Sequence, residues 1–82
     1  MITAKINIDS VEKVKKFTAA ISKIAVECEL VEGFRIIDAK SIMGIFSLDL
    51  KKPIELRVHT EDRRVLEPLR DFILPDSADA AK

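Results

Sequence analysis

The chain is poor in the residues that build stacking surfaces, metal centres and disulfide frameworks. Its 82 residues include no Trp or Tyr, four Phe, one His and one Cys. So few aromatic side chains disfavour surfaces that stack nucleic-acid bases. One His and one Cys do not make a metal site, and no cofactor motif is present, so we expect neither a metal nor a cofactor. A single thiol, Cys28, favours a reducing compartment, because small secreted domains usually carry disulfides.

An excess of charge of one sign is also missing. Fourteen Lys and Arg balance fourteen Asp and Glu, which gives a formal net charge of zero. A chain without a basic field is not expected to bind nucleic acid directly. No apolar run approaches the roughly 20 residues of a membrane helix, and the N-terminus does not have the pattern of a signal peptide. We therefore predict a cytoplasmic protein that binds neither nucleic acid nor a membrane.

The hydrophobic pattern predicts seven elements in the order β-α-β-β-α-β-α. Alternating apolar residues indicate strands, and apolar residues three or four apart indicate helices. Strands are predicted at 2–8, 26–30, 34–38 and 54–59, and helices at 11–23 and 40–48. A last helix, capped by Thr60 or Asp62, is predicted from its apolar stripe at 65–73, with a kink or shift at Pro68. Four strands that are apolar on one face need one cover. This predicts an α+β domain at 1–74, in which three helices cover one face of a four-stranded antiparallel sheet, followed by a disordered tail at 75–82.

Two reactive side chains are best interpreted without a chemical role. Alternation places His59 on the open face at the end of the fourth strand, with no evident base or anion cradle beside it. The same alternation places Cys28 on the core face, where burial makes a thiol inert. With no catalytic constellation elsewhere, the chain is predicted not to be an enzyme.

The second predicted helix carries the more informative residues. Ser41 is placed to cap its start, and a phosphate there would be favoured by the helix dipole and by the adjacent Lys40. A short helix buries only one side, so its apolar residues are open to two interpretations, core packing and protein docking. These residues are Ile42, Met43, Ile45 and Phe46.

The run from Ala39 to Leu48, with Lys-Ser-Ile-Met-Gly at its centre, resembles the regulatory-serine segment of HPr. HPr is the histidine-containing phosphocarrier of the bacterial sugar phosphotransferase system. The spacing from Phe17 to Ser41 and the order of elements are also similar to that family. The resemblance implies an open-faced β-sandwich in which Ser41 is phosphorylated by HPr kinase/phosphorylase.

The resemblance also implies a partner-binding surface on the second helix. Its expected partners are the kinase, other phosphotransferase-system components and, after serine phosphorylation, the catabolite control repressor. The residues assigned to it are Lys40, Ile42, Met43, Ile45 and Phe46.

One position departs from the family pattern. Members carry the phosphate on a His in the order His-x-Arg-Pro, and the matching positions here are Ser10-Val11-Glu12-Lys13. Serine has no imidazole, and Glu12 would repel a phosphate that an Arg would bind. In this respect the chain is similar to the His-less Crh-type members, which implies a regulatory module. Two alternatives stay open. One is a carrier that transfers phosphate through His59 or another residue, although His59 is expected at the opposite edge of the sheet. The other is an unphosphorylated assembly domain, including a homodimer.

Overall fold

Four strands and three helical segments follow one another in the predicted order. The computed structural model describes residues 1–74, and the predicted tail at 75–82 lies outside the described residues. The elements are β1 (Ile2–Ile6), α1 (Val11–Ile21), β2 (Cys28–Glu32), β3 (Arg35–Asp38), α2 (Ile42–Phe46), β4 (Ile54–Val58) and a 3₁₀ helix (Arg63–Leu69).

The sheet is antiparallel throughout, with the strand order β1-β4-β2-β3. In β1 and β4, Ile2 lies opposite Val58 and Ile6 lies opposite Ile54. Alternate residues of β1, β2 and β4 are buried while those between them are partly or fully exposed. One face of the sheet therefore packs on the core and the other is open, which confirms the predicted α+β architecture.

The first helix starts at a serine and buries one apolar stripe. The Oγ of Ser10 accepts the backbone N–H of Lys13 at 3.1 Å, which satisfies a donor that the helix leaves unpaired. The stripe at helical spacing comprises Val14, Phe17 and Ile21, all buried. This stripe attaches α1 to the covered face of the sheet.

The end of α1 comes two residues earlier than predicted. Past the C-terminal cap of α1 the backbone bonds reach only three residues back, from the N–H of Lys23 to the carbonyl of Ala20 and from the N–H of Ile24 to that of Ile21, which tightens the last turn. Beyond the helix end Ile24 is still buried, whereas Ala25 is exposed.

A two-residue turn joins β2 to β3. Gly33 has φ 62°, and no non-glycine residue among 1–74 has a positive φ. A glycine at the first central position, followed by a residue with negative φ, is the type II′ hairpin turn. Phe34 occupies the second turn position, so β3 begins one residue later than predicted. Likewise β2 begins at Cys28 rather than Val26, since pairing with β4 starts there.

The third helical segment is a 3₁₀ helix, which corrects the predicted α-helix at 65–73. Pro68 lies inside it, and proline lacks the N–H and crowds the turn that an α-helix would need. The segment is capped by Asp62, whose Oδ1 accepts the N–H of Arg64 at 3.0 Å.

Beyond the 3₁₀ helix the chain turns extended and lies against β1. Ile73 forms an antiparallel bridge with Ile6. Phe72 meets Phe17 edge-on, with ring centroids 5.5 Å apart. These contacts fasten the last described residues to both α1 and the sheet.

Candidate regulatory site

Ser41 lies at the corner between β3 and α2 and caps α2 as predicted. Its Oγ accepts the N–H of Gly44 at 3.1 Å, and its own N–H donates to the carbonyl of Asp38 at 2.9 Å. The residue is half-buried. The cap uses the oxygen as an acceptor and leaves the hydroxyl proton out.

Gly44 makes room beside this hydroxyl. A Cβ at this position would lie 3.2 Å from Cδ1 of Ile37 and 3.3 Å from Oγ of Ser41. Both distances are shorter than ordinary van der Waals contact. The glycine thus allows β3 to pack closely under α2 while the Ser41 oxygen keeps its position.

The side chain of Lys40 bonds to the segment that follows α1 and not to Ser41. Its ammonium donates to the carbonyl of Ile24 at 2.6 Å, and its backbone N–H donates to Oδ1 of Asp38 at 2.9 Å. Lys40 therefore fixes the corner that carries Ser41.

The apolar residues of α2 divide between surface and core. Met43 is 80% exposed, and Ile42 and Phe46 are each 43% exposed. We call these three residues the α2 surface. Ile45 is fully buried, so its predicted place in the partner-binding surface is corrected: in a five-residue helix only one side faces inward, and Ile45 occupies it.

An arginine on β3 holds the other end of α2. Arg35 donates from Nη1 to the carbonyl of Ser47 and from Nη2 to its hydroxyl, both at 2.7 Å. Ser47 is the C-terminal cap of α2. We did not predict this contact from the sequence. Alternation places Arg35 on the same side of β3 as Ile37, but nothing local in the sequence indicates that Ser47 is its partner.

Ser10 and His59 lie at opposite ends of the sheet. Ser10 is exposed at the start of α1, after β1 ends, and its neighbours Asp9 and Lys13 form an ion pair at 3.2 Å. His59 follows β4 next to the beginning of β1, as the pairing of Ile2 with Val58 requires. A five-residue strand spans about 13 Å between its ends at roughly 3.3 Å per residue. The structure therefore does not bring the chain's one imidazole to Ser10.

The surroundings of His59 are acidic. The ring Nε2 lies 3.2 Å from Oε1 of Glu29 on β2, and the backbone N–H of His59 donates to the carbonyl of Glu27. Within residues 1–74, no group of three or more His, Cys, Asp or Glu is arranged to hold a metal ion. A carboxylate beside His59 would oppose, rather than support, a phosphate on the ring.

Cys28 is buried on the covered face of β2. Burial raises the pKa of its thiol above the ordinary 9.0; the Lys40 ammonium acts in the opposite direction and the Asp38 carboxylate in the same one. A neutral, enclosed thiol is a poor nucleophile.

For the part of the chain described, no helix has the length and apolar character to span a bilayer.

Comparison with known proteins gives one family. The model described as the PTS HPr component phosphorylation site matches residues 4–73. Among solved structures, HPr-C-His from Thermoanaerobacter tengcongensis is 23% identical with a TM-score of 0.73, covering 87% of this chain and 89% of that one. Phosphocarrier protein HPr from Bacillus anthracis str. Ames is 19% identical with a TM-score of 0.70, covering 88% and 93%. No curated protein sequence matches. At these identities the structural likenesses establish the fold.

Proposed function

Because the chain belongs to the HPr family of the phosphotransferase system, we propose that it serves that system as a cytoplasmic regulatory module rather than as a phosphohistidine carrier. HPr proteins are acceptors on which other enzymes act, and are not catalysts in the usual sense. The observation that carries the proposal is the separation of the one imidazole, on His59, from Ser10 by the length of β1.

Ser41 is the proposed regulatory phosphoacceptor. Its Oγ would attack the γ-phosphorus of ATP, with ADP leaving and the hydroxyl proton passing to a base of the kinase. The new phosphate would lie at the start of α2, where unpaired N–H groups favour an anion. Asp38, whose carbonyl accepts the Ser41 N–H, adds a negative charge nearby. The phosphate is therefore expected to alter the charge of the surface that a partner meets.

The α2 surface is the proposed docking site. Ile42, Met43 and Phe46 are exposed directly after Ser41, so a partner that covers them also contacts the serine. Exposed apolar side chains grouped in this way are typical of protein-binding sites. The proposed partners are HPr kinase/phosphorylase, the catabolite control repressor and other components of the system.

The phosphorylation test uses HPr kinase/phosphorylase with radiolabelled ATP. We expect one phosphate per chain, lost in Ser41→Ala and kept in Ser47→Ala, which removes the other serine that caps α2. Met43→Asp is expected to weaken capture of the kinase without unfolding the chain, since Met43 is 80% exposed. Label that persists in Ser41→Ala would remove Ser41 from the proposal.

The carrier alternative has its own test. Phosphoenolpyruvate and the first enzyme of the system are mixed with the chain, and acid-labile phosphate is measured. We expect none. Acid-labile label that disappears in His59→Ala would show a working carrier and overturn the regulatory assignment.

A further inference from the structure

We propose that the outer edge of β3 is a self-association surface. In the proposed dimer, β3 of a second copy pairs antiparallel with β3 about a two-fold axis through Ile36, which extends the sheet from four strands to eight. The proposal depends on neither Ser41 phosphorylation nor the α2 surface.

The two outer strands of the sheet differ in how much of their outer edge is hydrogen-bonded. Along the end of β1, the N–H of Asn7 donates to the carbonyl of Phe72, and the N–H of Leu74 donates to the carbonyl of Lys5, both at 2.9 Å. The last described residues thus occupy part of that edge. β3, at the opposite side, has only β2 as a strand neighbour within residues 1–74.

The backbone of Ile36 is directed outward from the sheet. The N–H of Ala39 donates to the carbonyl of Cys28 at 3.0 Å, and Ile37 lies opposite Leu30. Hydrogen-bonded and non-hydrogen-bonded positions alternate in an antiparallel pair. The N–H and C=O of Ile36 therefore point away from β2, and an edge with such groups templates another strand.

The open face reaches this edge at two positions, the apolar Ile36 and the acidic Asp38. One row across the four strands runs from Lys5 to Glu55, Val31 and Ile36. Ile36 is 56% exposed, and Phe34 at the neighbouring turn is fully exposed. Pairing β3 with its copy brings the two apolar ends of the row together and leaves the charged ends in solvent.

A second copy fits this edge for two reasons, and the size of the contact sets how weak the pairing is. The chain has no net charge, so two copies do not repel each other as like-charged domains do. Antiparallel pairing centred on Ile36 places the residue against itself, as a two-fold interface requires. The contact is also small: a four-residue strand buries less than the roughly 1,000 Å² of a stable interface. The dimer is therefore expected to form only at high protein concentration.

Sedimentation velocity of the full chain from about 10 µM to about 1 mM, the range in which weak complexes form, tests the proposal. We expect the average mass to rise from monomer towards dimer. Ile36→Lys is expected to keep the monomer mass at every concentration, because an edge lysine disfavours strand pairing. Met43→Lys, the same change of charge at an exposed apolar residue of the α2 surface, is expected to associate like the parent chain.

Amide hydrogen exchange gives a second measurement that does not depend on a variant. The Ile36 amide is expected to exchange more slowly at high than at low concentration. Circular dichroism checks that both variants fold. A parent chain that stays monomeric up to about 1 mM overturns the proposal. So does association that survives Ile36→Lys, or that is lost in Met43→Lys.

Discussion

Replacing Ile45 by alanine is expected to destabilise the domain strongly, although the residue lies on the helix that we assign to docking. The side chain is fully buried, and a buried Ile, Leu or Met cut back to Ala costs about 2–5 kcal/mol. At about 0.05–0.15 kcal/mol per residue, the whole domain is stable by roughly 4–12 kcal/mol. The substitution therefore removes a large fraction of the stability.

Urea and thermal unfolding followed by circular dichroism measure this loss. At about 4–8 °C per kcal/mol for a domain of this size, a loss of about 2 kcal/mol lowers Tm by roughly 8–16 °C. Met43→Ala is the matched control on the same helix, with an expected change within about 0.5 kcal/mol because the side chain is exposed. If Ile45→Ala lowered the free energy of unfolding no more than Met43→Ala does, Ile45 would not be a core residue and would again be assigned to the partner-binding surface.

Three further outcomes are expected. Ser41→Ala lowers the free energy of unfolding by about 1 kcal/mol through loss of the α2 cap, whereas Ser41→Asp, which retains a capping oxygen, stays near the parent value in urea titrations. Arg35→Ala costs about 1 kcal/mol through its two bonds to Ser47 and speeds amide exchange at the end of α2, while Arg63→Ala, an exposed arginine on the 3₁₀ helix, changes neither. Burial raises the pKa of the Cys28 thiol above 9.0 in the folded state, so the thiol of the unfolded chain ionises first as the pH rises. The free energy of unfolding is therefore expected to fall as the pH rises through the folded pKa. Cys28→Ala abolishes this fall, and a fall that persists in the variant would point to another group.

The order of elements was predictable because it depends on local signals. Alternation in β1 and β4, helical spacing in α1 and the cap at Ser41 are each readable within a few residues. These signals also identified the open face of the sheet. Together with the segment around Ser41, they were sufficient to indicate the family.

Other features depend on contacts that no local signal reveals. Whether Ile45 or Met43 faces the core is decided by the angle at which α2 meets the sheet. The bond from Arg35 to Ser47 joins residues twelve positions apart. The 3₁₀ form of the last helix follows from Pro68, which predicts a disturbance but not its geometry.

Residues 72–74 bear on how many chains could join through the edges of the sheet. Residues 72–74 bond to the Lys5–Asn7 end of the β1 side, so the proposed pairing of β3 leaves no full-length edge strand open for a third chain. A chain shortened after residue 71 would present both sides at once. If both sides then paired, each added copy would offer a new edge strand for the next, and the product would be an open-ended ribbon instead of a closed pair.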